Sequence, residues 1–313
     1  MLGFLGVAYF VKYSFDNNLI PPELRVTIGY VIGLALVVGG VVLHRRKQYV
    51  IGAQALCATG VLILYAITFA ARAYYHFLSW PNTWYDALPA FAIMVLVTAT
   101  GFLLAVRLNA LVVAILGMLG GFLTPILLST GVDNPLGLFG YIALLDLGLL
   151  FVAHHRRWHF LTALAAVGTA LMQIGWAGEF FESQKYFAGD KIFITLGVLA
   201  GFNALYLGAT WRAKKKSSFN WWLSGSTLGL AAVALAFTAF FLSYPTLAER
   251  PWLIFSFLML IDLGIAAVVL LENRLAPAQS LAGLAVFGIL AGWTSHSMTN
   301  ELLNSALAFY FIP

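Results

Sequence analysis

Pro251-Trp-Leu-Ile-Phe-Ser-Phe-Leu-Met-Leu-Ile-Asp-Leu-Gly-Ile-Ala-Ala-Val-Val-Leu-Leu271 is the stretch that decides the fold. It opens on a proline, carries a single charge, Asp262, near its middle, and is otherwise almost wholly apolar. A hydrocarbon layer about 30 Å thick is crossed by ~20 helical residues rising 1.5 Å each, and this run has that length. Thirteen Leu, Ile, Val and Phe residues lie between Trp252 and Leu271. Each favours insertion by at most about 0.3 to 0.6 kcal/mol, against about 2.5 to 3.5 kcal/mol for one central carboxylate. The run therefore inserts in spite of its charge.

Runs of the same kind fill the chain on both sides. Bounded by Pro, Gly, Asn or charge, they predict helices over 1–15, 25–43, 50–71, 87–106, 109–128, 135–153, 158–178, 191–211, 221–243, 252–271 and 276–296, with a partial run over 301–313. The expectation is an all-α polytopic transmembrane bundle of about 11 to 12 helices, forming one domain over 1–313. Composition agrees: 62% of the 313 residues are hydrophobic and 9% charged, which leaves too little polar surface for a water-soluble domain. The runs are continuous, whereas a membrane strand alternates over about 10 residues, so a barrel is disfavoured.

Charge gives an orientation. The loops after the even-numbered runs hold Arg45, Arg46, Lys47, Arg107, Arg156, Arg157, Arg212, Lys214, Lys215, Lys216 and Arg274, with Glu272 as their one acid. Those after the odd-numbered runs hold Arg25, Arg72, Lys185, Lys191 and Arg250 against nine acids, among them Asp16, Asp86, Asp133, Glu179 and Glu249. Basic residues at helix ends resist translocation, so the even loops and the start of the first run are expected in the cytoplasm. A missed or invented crossing would scramble this alternation. Trp80, Trp84, Trp158, Trp211, Trp221, Trp222 and Trp252 fall near predicted helix ends, where amphipathic rings settle. The net charge of +5 thus reflects membrane orientation, and no nucleic-acid partner is expected. The single cysteine, Cys57, excludes an intramolecular disulfide. The stretch Met1 to Phe15 lacks a basic start and a small-residue cleavage site, so it reads as a helix instead of a signal peptide.

Pro135, Phe139, Asp146 and Gly148 recur 116 residues on as Pro251, Phe255, Asp262 and Gly264, and Gly175-Trp176 is echoed by Gly292-Trp293. This spacing suggests a parallel repeat of four-helix units over about 100–180 and 216–296. Asp146 and Asp262 each sit mid-helix and invite two readings. One is a proton- or cation-coupled site between helices; the other, favoured by the residue types, is hydrogen bonding that glues neighbouring helices together. Lys12, four residues before Asp16, reads as an outward-snorkelling partner of that acid, with a substrate-facing cation as the alternative. Gly117, Gly120 and Gly121 with Pro125 predict close packing and a broken or kinked helix. G-x-x-x-G also occurs at Gly29/Gly33, Gly225/Gly229 and Gly288/Gly292, so packing is the default reading of such spacing. His154, His155 and His159 beside Arg156 and Arg157 read as a headgroup-facing loop, since metal-ligating Cys, Asp or Glu are missing nearby.

No Ser-His-Asp frame, P-loop, dinucleotide fingerprint or H-E-x-x-H is present, so no catalytic residue, cofactor or metal is assigned. Over Phe10-Val-Lys-Tyr-Ser-Phe-Asp-Asn-Asn-Leu-Ile-Pro-Pro-Glu-Leu-Arg-Val26, and from Leu116 through Ser129-Thr-Gly-Val-Asp-Asn-Pro135 to Leu138-Phe-Gly-Tyr-Ile-Ala-Leu-Leu-Asp-Leu-Gly148, the chain resembles the predicted bacterial multi-pass membrane proteins with the domain of unknown function numbered 2339. The likeness is good over about residues 1 to 180 and looser beyond. It implies a bacterial cytoplasmic membrane and many helices, brings no activity or substrate, and implies an Asn in many members where Asp146 stands. Since such members carry further segments at both ends and this chain stops at Ala308-Phe-Tyr-Phe-Ile-Pro313, a fragment or short member is expected. The function expected first is a transporter or flippase of a small or lipid-linked solute. The alternatives are a non-catalytic scaffold in envelope assembly and, on the acidic outer loops alone, a membrane-embedded transferase. Membrane lipids, further copies of the chain or envelope proteins are the expected partners.

Overall fold

The computed structural model describes residues 20–78, 86–129, 131–181, 187, 189, 191–215, 220–297 and 309. Among them ten long helices occur, and no strand: α1 (Pro22–His44), α2 (Val50–Ala73), α3 (Leu88–Leu108), α4 (Leu111–Leu127), α5 (Pro135–Arg156), α6 (Phe160–Phe180), α7 (Lys191–Lys215), α8 (Trp221–Leu242), α9 (Pro251–Leu271) and α10 (Ala276–Ser297). Each expected run between 25 and 296 falls on one of these, with ends displaced by four residues at most. The run expected over 1–15, with Lys12 and Asp16, and all of 301–313 but Phe309 lie outside the described residues. Nine described segments are long and apolar enough to cross a membrane, whereas α4 is shorter.

The helix starts follow from sequence chemistry. Pro22, Pro89, Pro135 and Pro251 stand in the first two positions of α1, α3, α5 and α9, where the missing N–H is not needed. Asn134 and Asn220 cap α5 and α8, their side-chain oxygens accepting from Gly137 N at 3.1 Å and from Trp222 N at 3.1 Å. At the end of α3, Asn109 adopts φ 53°, a left-handed conformation that asparagine tolerates. Gln54 of α2 donates to the carbonyls of Leu108 and Asn109 at 3.1 and 3.2 Å, which would otherwise be orphaned at that helix end.

Along no span is more than half of the central window buried. The outward faces carry Ile51, Leu270, Val31 and Leu96, at 84%, 82%, 60% and 66% exposure. Such surfaces are stable against acyl chains and unstable against water.

The chain divides into two compact units, Met1–Val132 and Asp133–Pro313. In the first, α1 and α2 approach closely because glycines remove side chains from their seam. A Cβ built on Gly60 would lie 2.7 Å from the Gly33 carbonyl oxygen, and one on Gly40 2.8 Å from that of Ala53. Cys57 fills the space beside Gly40 and donates from Sγ to the Val37 carbonyl at 3.5 Å. Polar ties add to this: Tyr30 reaches Thr68 at 3.0 Å, and the Tyr65 hydroxyl lies 2.6 Å from Thr98 Oγ1. The second unit packs α8 against α6, α7, α9 and α10.

Gly60→Ala must push two backbones apart and is expected to cost about 1 to 3 kcal/mol. Gly39→Ala, with nothing within 4 Å of the added carbon, should be neutral or slightly stabilising. Equal unfolding midpoints for the two variants in detergent would contradict this account of the seam.

Candidate functional site

Asp146 stands in the middle of α5 and is 0% exposed. Its Oδ2 accepts from Thr169 Oγ1 of α6 at 2.7 Å. Tyr206 of α7, also 0% exposed, is coupled electrostatically to the same carboxylate. Asp146 Oδ1 and the Tyr206 hydroxyl are both buried with no geometrically complete hydrogen bond among the described residues. Three helices thus converge on one carboxylate through groups able to donate to it. A carboxylate without them would be costly in hydrocarbon.

Asp262 holds the matching position in α9 and is half-buried. Gln279 of α10 donates from Nε2 to both its oxygens, at 3.1 and 3.2 Å. Around the two aspartates the same contacts recur. Phe139 meets Trp176 of the next helix edge-on at 5.1 Å, and Phe255 meets Trp293 edge-on at 5.3 Å. Trp176 Nε1 donates to Asp133 Oδ1 just before α5, and Trp293 Nε1 to the Ala248 carbonyl just before α9, both at 3.0 Å.

Of the four α4 residues singled out above, Gly117 and Gly120 lie against side chains of other helices. Gly120 leaves room for the ring of Tyr65, and a Cβ on Gly117 would touch Phe102 at 3.3 Å. The Tyr65 hydroxyl donates to the Gly117 carbonyl at 3.3 Å. Gly121 is buried on the same helix, which runs through Pro125 without interruption and stops three residues later at its Leu128 cap. The helix is continuous across Pro125, and so close to the end the proline removes little of the helix ladder. The expected packing role fails at Gly225, Gly229, Gly288 and Gly292, where an added Cβ meets nothing within 4 Å. Asp146 and Asp262 each pair with the following helix, and Lys12 lies outside the described residues.

A feature that sequence reasoning missed lies beside α7. A cavity of about 350 Å³ is enclosed by α7, α8 and α9. Its wall combines small residues, Ala200, Gly201, Ala204 and Gly264, with Leu260 and Val268. It opens sideways, since Gly201 and Ala204 are exposed and Leu260 is 54% exposed. Its polar lining is Asn203, which donates to the Leu199 carbonyl at 2.9 Å, and Thr227, which shares a 2.9 Å hydrogen bond with Thr210. The only sequence signal is the run of small residues on α7, which does not by itself say which helices face it. The same helix thus carries Tyr206, beside Asp146, and Asn203, three residues earlier, which lines the groove. Such an apolar concavity at mid-span, between helices of a bundle, is a binding-site candidate.

At the opposite end of the polarity scale, His159 Nδ1 and Asn220 Nδ2 lie 2.9 Å apart, and no group of three metal-ligating side chains is found among the described residues.

The family model described as "Predicted membrane protein (DUF2339)" matches residues 1–311. No curated protein and no solved structure matches the chain.

Thr169→Val removes a hydroxyl that donates to Asp146 and should lower stability by about 1 to 3 kcal/mol, with Thr169→Ser restoring it. Unfolding midpoints in detergent that do not separate Val from Ser would show that the tie contributes nothing.

Proposed function

We propose, for a chain that belongs to this family of predicted multi-pass membrane proteins (DUF2339), that the α7–α8–α9 groove takes an apolar or lipid-linked solute sideways out of the bilayer and passes it across, in the manner of a flippase. The groove is the observation that carries this reading. Its lining is nearly all apolar and it opens where the acyl chains are, so a hydrocarbon tail fits it and a free hydrophilic solute does not. The alternating loop charges support an orientation with the basic ends of α3, α5, α7 and α9 in the cytoplasm of a bacterial inner membrane.

Asp146 and Asp262 act in this reading as ties between helices. Asp146 pairs with Thr169 of α6 beside Tyr206 of α7, and Asp262 is turned to Gln279. One further observation favours a second reading, the non-catalytic scaffold. Tyr30 with Thr68, Tyr65 with Thr98, Thr210 with Thr227 and Gln279 with Asp262 all pair across helices, as they would in a bundle built only to hold its shape.

Vesicles containing the purified chain and a trace of fluorescent headgroup-labelled lipid separate the two. Lipid movement between leaflets should exceed that of protein-free vesicles and be lost in Gly264→Leu, whose added side chain starts in open space and fills the groove without unfolding the helix. Asp146→Asn should keep the movement, because the amide oxygen still accepts from Thr169. No movement above protein-free vesicles would sink the flippase reading; loss in a folded Asp146→Asn would restore a proton-coupled role for that carboxylate.

A further inference from the structure

The seam between α7, α8 and α9 continues beyond the groove toward the basic helix ends. There the same three helices enclose a niche of about 10 Å³ lined by Thr210, Lys214, Asn220, Ser224 and Glu272, room for roughly one water-sized group. The Thr210–Thr227 hydrogen bond stands between the two spaces, Thr210 lining the niche and Thr227 the groove. From Leu207 to Lys214, and from Val268 to Glu272, the helix rise amounts to about 10 and about 6 Å. That is the span between a phospholipid's phosphate and the first methylenes of its chain.

The polar groups of the niche differ in what they have left to offer. Asn220 is committed, its oxygen to the α8 cap and its amide to His159. Ser224 is 3% exposed and lines the niche; its N–H donates to the Asn220 carbonyl, and its hydroxyl has no hydrogen-bond partner among the described residues. Lys214 Nζ and Glu272 Oε2 lie 3.2 Å apart, with side chains 47% and 12% exposed. A cation, an anion and an unused hydroxyl thus stand at the polar end of an apolar groove. Trp211, capped by Lys215 at 3.7 Å, and the exposed Trp221 and Trp222 flank the same end, as aromatic residues do at the headgroup level.

We infer that groove and niche form one amphiphile site whose occupant is a phospholipid carrying a phosphate next to a primary ammonium. The phosphate takes Lys214 and places one oxygen on the Ser224 hydroxyl, while the ammonium takes Glu272. The inference rests on the groove reading above and names its ligand. Charge complementarity selects the headgroup. A purely anionic headgroup would gain Lys214 but set a phosphate against Glu272, and an uncharged one would have to break the ion pair without replacing either half. A zwitterion exchanges partner for partner and leaves both charges compensated. A quaternary ammonium has no N–H to give the carboxylate, so choline headgroups bind less well.

Native mass spectrometry of the full chain in mild detergent tests this, with phosphatidylethanolamine, phosphatidylglycerol and phosphatidylcholine of identical acyl chains supplied in equal amounts. Phosphatidylethanolamine should be retained about tenfold over the others, the scale of one charge-assisted contact. Glu272→Gln should remove its advantage over phosphatidylglycerol while Glu272→Asp keeps it, and Lys214→Met should weaken both. Gly264→Leu should reduce all three headgroups alike. Equal retention of the three lipids, or an ethanolamine preference unchanged in folded Glu272→Gln and Lys214→Met, overturns the headgroup assignment. If Gly264→Leu still lowers every lipid in that case, the groove reading survives; if Gly264→Leu changes nothing, the groove reading falls with it.

Discussion

Hydrocarbon offers a polar atom no hydrogen-bond partner, and most of this structure follows from that single constraint. The backbone meets it by forming helices, which satisfy their own N–H and C=O groups. Side chains meet it by two local devices. Thr68, Thr124 and Thr238 each donate to the carbonyl four residues back on their own helix, and Thr98, Thr210 and Thr227 lie within hydrogen-bond distance of theirs. Several of the same hydroxyls then pair with a second helix, so that a group neutralised locally becomes a tie. The two aspartates are the extreme case, too strongly polar to be satisfied by their own helix and therefore dependent on Thr169 and Gln279.

The two units use this chemistry in different proportion. Between α1 and α2 the glycines bring backbones to a separation at which one methyl group would collide with a carbonyl, and dispersion does most of the holding. In the second unit the glycines of α7, α8, α9 and α10 face open space. Association there relies on aromatic contacts such as Phe139–Trp176 and on polar ties such as Thr210–Thr227. The same residue type therefore closes a seam in one unit and leaves room in the other. Room beside α7 and α9 is what makes the groove.

How much of this was legible in the sequence follows from range. Helix existence and limits depend on length, hydropathy and the proline or asparagine at the start, all local, and Pro135, Asn220 and Pro251 mark their helices correctly. Pairing is not local. The i, i+4 spacing of Gly225 and Gly229 says that they share a face, and nothing about whether another backbone lies against it. The effect of Pro125 is likewise not fixed by its own position, since it depends on how much helix follows it. Asp146 could be singled out by its cost, but its partners could not, because Thr169 and Tyr206 are ordinary residues of other helices. The groove needs the relative placement of three helices and had no signature beyond small side chains.

Comparison of α5–α6 with α9–α10 shows which contacts such a bundle can vary. The aromatic clasp keeps its form in both: a phenylalanine four residues after the helix-starting proline, an edge-on tryptophan from the next helix, and an indole N–H reaching back to the preceding loop. The aspartate tie does not keep its form. Its donor comes 23 residues later in one case and 17 in the other, and burial is complete for Asp146 and partial for Asp262. An edge-on ring pair fixes distance and angle together, so it tolerates little sliding of one helix along another. A carboxylate accepts from many directions and can recruit whichever donor the crossing supplies. The clasp therefore sets the geometry and the tie adjusts to it, which makes the aspartate the position where chemistry is free to differ between the two helix pairs.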